Sequence, residues 1–261
     1  KFGDKFNAQS GTRQLMDDLG EALSSGRDIL NLGGGNPGTV PAMEVLFHER
    51  MQVLLDDGRF NEIVSQYDGP QGYRPFLEAI AALLRRRYGW AVDASNIATT
   101  AGSQASFFIL FNMLAGTTLE SRHRHILLPL TPEYIGYSDV GLTPNMVRSV
   151  KPTIEILDNR SFKYRIDFAA LKLDRDVAAV CVSRPTNPTG NVITDDELAQ
   201  LVDLTRHHEI PLIVDNAYGL PFPGIVFSPA TPMFEDHMIL CMSLSKLGLP
   251  GLRTGIIVAA P

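Results

Sequence analysis

Lys246 is set among small residues in the run Ser243-Leu244-Ser245-Lys246-Leu247-Gly248, and Arg253 follows seven positions later. A solvated lysine has no use for such neighbours. A lysine that condenses with an aldehyde to a Schiff base needs close backbone approach and a desolvated setting that favours its neutral, nucleophilic form. Three further segments carry candidate chemistry. Ala101-Gly102-Ser103-Gln104 stands just ahead of an apolar helical run. It would gather free backbone N–H groups, a hydroxyl and the positive end of a helix into an anion site, although Ser103 would serve equally as a helix N-cap. Arg184-Pro185-Thr186-Asn187-Pro188-Thr189-Gly190 is a turn whose Asn187-Pro188 bond can take the cis form, or simply a tight connector before a helix capped by Thr194. Asp215, in Asp215-Asn216-Ala217-Tyr218, ends an apolar run. A carboxylate there is costly without a cation or a hydrogen-bond network; metal binding or helix capping would also satisfy it.

These segments share a position, each directly following a short apolar run. Runs at 97–100, 126–129, 177–183, 212–214, 239–241 and 254–260 read as strands, and 77–87, 104–114 and 195–207 as helices between them. A further helix is expected at 14–23, ahead of an extended, glycine-rich stretch at 32–38. Continuous apolar strands separated by helices predict a parallel sheet covered on both faces, and such sheets bind ligands beyond the carboxyl ends of their strands. The last run leads straight into Ala259-Ala260-Pro261, so a catalytic domain cut before a closing element is expected.

Composition narrows the classes. The 261 residues are 44% hydrophobic and 20% charged, as in a globular domain with a sizeable core. A net charge of −6 leaves no electrostatic footprint for nucleic acid, and no apolar run is long enough to span a membrane. Cys181 and Cys241 sit in strand-like runs and read as core residues of a reducing, cytoplasmic compartment. Arg85-Arg86-Arg87 ends an amphipathic helix, where cations suit the dipole. His123 and His125, and His207 and His208, lack a third ligand at a convincing spacing, so no metal is expected. Residues 33–38 satisfy G-x-G-x-x-G literally, but Pro37 stands where the helix of a dinucleotide site should run.

Taken in order, Gly102-Ser103-Gln104, Asn187-Pro188-Thr189-Gly190, Asp215 with Tyr218, and Ser243-x-Ser245-Lys246 with Arg253 resemble the fold-type-I, pyridoxal-5'-phosphate (PLP) dependent aminotransferases. Tyr67-Asp68-Gly69-Pro70-Gln71-Gly72 and Pro132-Glu133-Tyr134-Ile135-Gly136-Tyr137 look like the valine–pyruvate branch of that family. The resemblance covers essentially the whole chain. It implies an α/β fold with a mainly parallel sheet of about seven strands and helices on both faces. Residues 1–40 would be an N-terminal arm and 41–261 the large PLP-binding domain. The C-terminal small domain, with its arginine for the substrate α-carboxylate, would be absent. It implies a Schiff base of Lys246 with PLP, Asp215 on the pyridine nitrogen, Tyr218 and Asn187 on the ring oxygen, and Tyr134 stacked on the ring. Gly102, Ser103, Gln104, Ser243, Ser245 and Arg253 would hold the phosphate, and Gly35 and Asn187 would meet the substrate. Tyr67 would reach the phosphate of a neighbouring subunit, making the enzyme a homodimer. The implied reaction exchanges an amino group between L-alanine/pyruvate and L-valine/3-methyl-2-oxobutanoate. A fold-type-I aminotransferase of different amino-acid specificity, or another PLP reaction, is a second reading. An effector-sensing regulator is a third, and the short stretch before the glycine loop and the acidic charge speak against it.

Overall fold

The structure, a computed structural model, describes residues 11–26, 30 and 37–261. Its helices are α1 (Gly11–Ser24), α2 (Pro41–Asp56), α3 (Arg59–Ser65), α4 (Arg74–Tyr88), α5 (Ser103–Leu114), α6 (Tyr137–Val140) and α7 (Asp195–His207). Its strands are β1 (Ile97–Thr100), β2 (Gly116–Thr117), β3 (His123–Leu128), β4 (Val147–Ser149), β5 (Thr153–Ile156), β6 (Phe162–Arg165), β7 (Val177–Ser183), β8 (Leu212–Asp215), β9 (Met238–Ser243) and β10 (Gly255–Val258). β5 and β6 pair as a separate antiparallel hairpin.

The remaining eight strands form one sheet in the order β1-β10-β9-β8-β7-β3-β2, with β4 also on β3. β2 pairs with the start of β3 and β4 with its end, so the two share one lane and the sheet is seven lanes wide. The pairs β3/β4, β3/β7, β7/β8 and β8/β9 are parallel. β10 runs antiparallel to both β9 and β1, which departs from a uniformly parallel sheet. The segment between Ser243 and Gly255 carries only two short 3₁₀ turns, too little for the helical crossover that a parallel return needs. It folds back instead, and that fold carries Lys246.

Side chains two apart on a strand share a face, and here the alternation divides two cores. Val180 and Val182 of β7, Leu212 and Val214 of β8, and Leu240 and Met242 of β9 pack with Leu77, Ala81 and Leu84 of α4 and Leu198 and Leu201 of α7. Ala179, Cys181, Ile213 and Cys241 face Phe107, Leu110 and Phe111 of α5 and Tyr137 and Val140 of α6. Each fully buried large side chain contributes about 1.5–3 kcal/mol, so the strand positions are fixed from both sides. Thr194 caps α7: its hydroxyl accepts from the Glu197 N–H at 3.2 Å, and the Glu197 carboxylate accepts from the Thr194 N–H at 2.8 Å. Arg184, at the end of β7, is buried and paired with Asp195.

His123, Arg124 and His125 belong to β3 rather than preceding it. Both imidazoles lie against the Asn145 carbonyl, at 3.3 and 2.9 Å, so strand pairing overrides their polarity. No helix among the described residues is long and apolar enough to cross a membrane.

Candidate active site

The ends of β1, β7, β8 and β9 bring the motifs together around one cavity of about 280 Å³. Ser103, Gln104, Tyr134, Asn187, Asp215, Tyr218, Ser243, Ser245, Lys246 and Arg253 all line it, joined by Met16 from α1. Gly102 lies behind this lining as the residue before α5.

The helix end is built for an anion. Gly102 has φ 92° and offers no side-chain cap to α5, which leaves the first N–H groups of the helix to another acceptor. A Cβ at Gly102 would lie 3.0 Å from the Arg253 guanidinium carbon, and one at Gly255 2.7 Å from the Ser103 nitrogen. The two glycines therefore let the arginine and the helix end converge. Arg253 itself takes a left-handed backbone, φ 48°, and among the described residues no carboxylate pairs with its side chain. Gln104 donates to the Gly136 carbonyl at 3.0 Å, tying the loop that carries Tyr134 to the same helix end.

Opposite stands Asp215, 7% exposed at the end of β8. Burial pushes its carboxyl up to about 6, while the Tyr137 hydroxyl at 2.7 Å and the Ala217 N–H at 3.0 Å favour the ionised form. Burial also raises Tyr134; Asp215 and Tyr218 add to this and Arg253 opposes it, so that phenol lies in the field of both poles. Asn187, whose bond to Pro188 is cis, donates to the Tyr218 hydroxyl at 3.4 Å. The Ser243 hydroxyl accepts from the Ser245 N–H at 3.1 Å, which shapes the turn beneath Lys246. The lysine is partly buried, with Nζ 5.5 Å from the centre of the Tyr218 ring. An amine, a buried carboxylate, a guanidinium with no carboxylate partner among the described residues, and a helix end without a side-chain cap thus face one space. That set fits a molecule carrying an aldehyde, a basic ring nitrogen and a phosphate.

Tyr67 is fully exposed and lies away from the cavity with its own turn, and Gly35 lies outside the described residues. Three residues without an assigned role from sequence do converge on Asp215. Tyr137 and Ser183 are buried, and Glu133 accepts from the Ser183 N–H and hydroxyl at 2.8 and 2.7 Å. The sequence signals were the motif at 132–137, which holds Glu133 and Tyr137 just past β3, and the place of Ser183 at the last position of β7.

Residues 27–261 match the family described as aminotransferase class I and II. The chain is 50% identical over 258 residues to the valine–pyruvate aminotransferase of Escherichia coli K12, covering 99% of this chain and 62% of that protein. A crystal structure of the valine–pyruvate aminotransferase of Salmonella typhimurium LT2 superposes with a TM-score of 0.84 at 48% identity, over 96% of this chain and 61% of that one. A Psychrobacter arcticum 273-4 crystal structure gives 0.93 at 46% identity, over 99% and 63%. The chain thus spans about three fifths of the length of these relatives. On the family match and the sheet topology together, the chain belongs to the class I and II aminotransferases.

Proposed function

We propose that the intact protein is a PLP-dependent transaminase that exchanges an amino group between L-alanine/pyruvate and L-valine/3-methyl-2-oxobutanoate. The observation that carries this reading is the placement of Lys246, Asp215 and Arg253 around one cavity, each from a different strand end. The 50% identity to a valine–pyruvate aminotransferase supports the substrate pair.

Bound in this cavity, PLP supplies an electron-withdrawing ring that accepts the charge released when the substrate Cα loses its proton. The protein's residues divide the rest. Lys246 would hold the aldehyde end, and its amine, when free, would move the proton at the substrate Cα. Asp215 would keep the ring nitrogen protonated, and a cation there would offset the desolvation that raises this carboxyl when it stands alone. Asn187 and Tyr218 would hold the ring oxygen, and Tyr134 would cover the ring. The N–H groups at Gly102, Ser103 and Gln104, the hydroxyls of Ser243 and Ser245, and the Arg253 fork bind the phosphate.

Gly35, in an N-terminal arm of residues 1–40, and Asn187, in the catalytic domain of 41–261, meet the substrate. The protein acts as a cytoplasmic homodimer in which Tyr67 reaches the partner's phosphate. Two observations support that arrangement: Tyr67 is fully exposed, and Val45, Met51, Phe60 and Val64 of α2 and α3 turn apolar surface outward.

The test is to mix the full-length protein with alanine and 3-methyl-2-oxobutanoate. Formation of valine and pyruvate in equal amounts is expected. Pyruvate limited to one equivalent of enzyme, without valine, would rule out 3-methyl-2-oxobutanoate as the amino acceptor, and no turnover with this pair alongside rapid turnover of another would move the specificity.

A further inference from the structure

We propose that Glu133 and Asp215 form one carboxyl pair, bridged by the hydroxyls of Ser183 and Tyr137, which holds a single proton at its Glu133 end and so leaves the charge on Asp215. This rests on the cofactor-binding reading above and extends it to a positioning residue that never touches the cavity.

The argument is a count of hydrogens. Glu133 Oε2, Ser183 Oγ, Tyr137 Oη and Asp215 Oδ2 form a row with successive separations of 2.7, 2.9 and 2.7 Å. Each is a hydrogen-bond distance, and a hydrogen bond needs a hydrogen. With both carboxylates ionised, only the Ser183 and Tyr137 hydroxyls supply one, so one of the three contacts would set lone pairs against each other in a buried site. One added proton fills the row, with every hydroxyl donating in the same direction. With two added protons, both ends would be donors, and Asp215 would lose its charge.

The proton's place follows from what faces each end. Asp215 lines the cavity with Lys246 and Arg253, where a cationic ring nitrogen favours its ionised form. Glu133 stands behind it and keeps its other contacts when neutral: Oε1 still accepts from the Ser183 N–H at 2.8 Å and Oε2 from the Tyr134 N–H at 3.1 Å. The order is then Glu133 donating to Ser183, Ser183 to Tyr137, and Tyr137 to Asp215. The other titratable groups near the row are Tyr134, Tyr218, Cys181 and Cys241. Burial raises both thiols and Tyr134 further above neutrality, so none of these three supplies a competing charge. Burial likewise pushes Glu133 up to about 7, with the charge of Asp215 adding to it and the bonds from Ser183 and Tyr134 opposing.

The test is infrared spectroscopy of the full-length, cofactor-loaded enzyme, following the carbonyl stretch of a buried carboxylic acid just below the pH of about 7 to which Glu133 is raised. One such band is expected, lost in Glu133→Gln and shifted in Ser183→Ala, which removes the bridge but neither carboxyl. No band in the wild-type enzyme, or a band that persists in Glu133→Gln, overturns the proposal. If Glu133→Gln does not fold, Ser183→Ala decides, and an unshifted band there contradicts the bridge. Transamination assays on the same cofactor-loaded protein separate the two claims. An intact band without transamination fails the functional reading alone, and full transamination with no band fails this one alone.

Discussion

Asp215 is the residue at which folding and function pull apart. Its buried carboxyl, raised to about 6 in the bare protein, has among the described residues no cation beside it other than those across the cavity. Asp215→Ala is expected to lower turnover by on the order of a thousandfold, because it removes a charge-assisted contact to the ring, whereas Ser103→Ala removes one of several phosphate bonds and costs about tenfold or less. Steady-state rates of the two full-length variants check this, and equal small losses would remove Asp215 from the electron-accepting role. At this scale much was legible. Lys246, Asp215 and Asn187 each follow an apolar run, and Arg253 directly precedes one, closely enough to be placed at strand ends by sequence alone. Glu133, Ser183 and Tyr137 were not, because their significance lies in distances between oxygens on segments some fifty residues apart, which no local pattern records.

At the scale of elements, the turn from β1 into α5 does the most for the site. Gly102 holds a positive φ and leaves no room for a Cβ beside Arg253. Gly102→Ala therefore carries backbone strain of about 1–3 kcal/mol and displaces the guanidinium from the anion site. A tenfold or greater loss of PLP affinity is expected, read by absorbance titration of the full-length protein; an unchanged dissociation constant would show that Arg253 and the helix end do not hold the phosphate together. The main strands and helices could be read from sequence because their apolar residues keep a strand or helix period. α2 and α3 could not. Neither has a buried residue, and their apolar side chains form no stripe against this sheet. β2 and β4, two and three residues long, are too short to show alternation and exist through their pairing with β3.

For the whole molecule, the raised carboxyls set how stability depends on pH. Asp215 and Glu133 have folded-state values of about 6 and about 7, above the ordinary 3.8 and 4.5. The folded protein therefore holds these protons more tightly than the unfolded chain does. Their contribution is fully present below about pH 4 and is lost as the pH rises through 6 and 7. Cofactor-free protein is expected to melt at progressively lower temperature from about pH 5 to pH 8. Saturating PLP should flatten that decline, since it binds only the folded state and gives Asp215 a counter-charge. In the cofactor-free form Asp215→Asn should melt higher than wild type at neutral pH, relieving a cost of up to about 3 kcal/mol. Thermal melts across this range check all three statements, and a wild-type melting temperature that rises with pH would show that these carboxyls are not desolvated as described. That β3, β7, β8 and β9 run parallel was foreseeable from the continuous apolar strands. The reversal at β10 was not, because it depends on how few residues separate Ser243 from Gly255.

The most direct test of the central claim is the absorption spectrum of full-length Lys246→Ala beside wild type, each mixed with PLP. The wild-type protein is expected to develop the near-visible band of lysine-bound cofactor and to lose it on adding alanine. Lys246→Ala should show only the spectrum of the free aldehyde and no turnover. A variant whose spectrum and response to alanine match wild type would mean that Lys246 does not hold the cofactor.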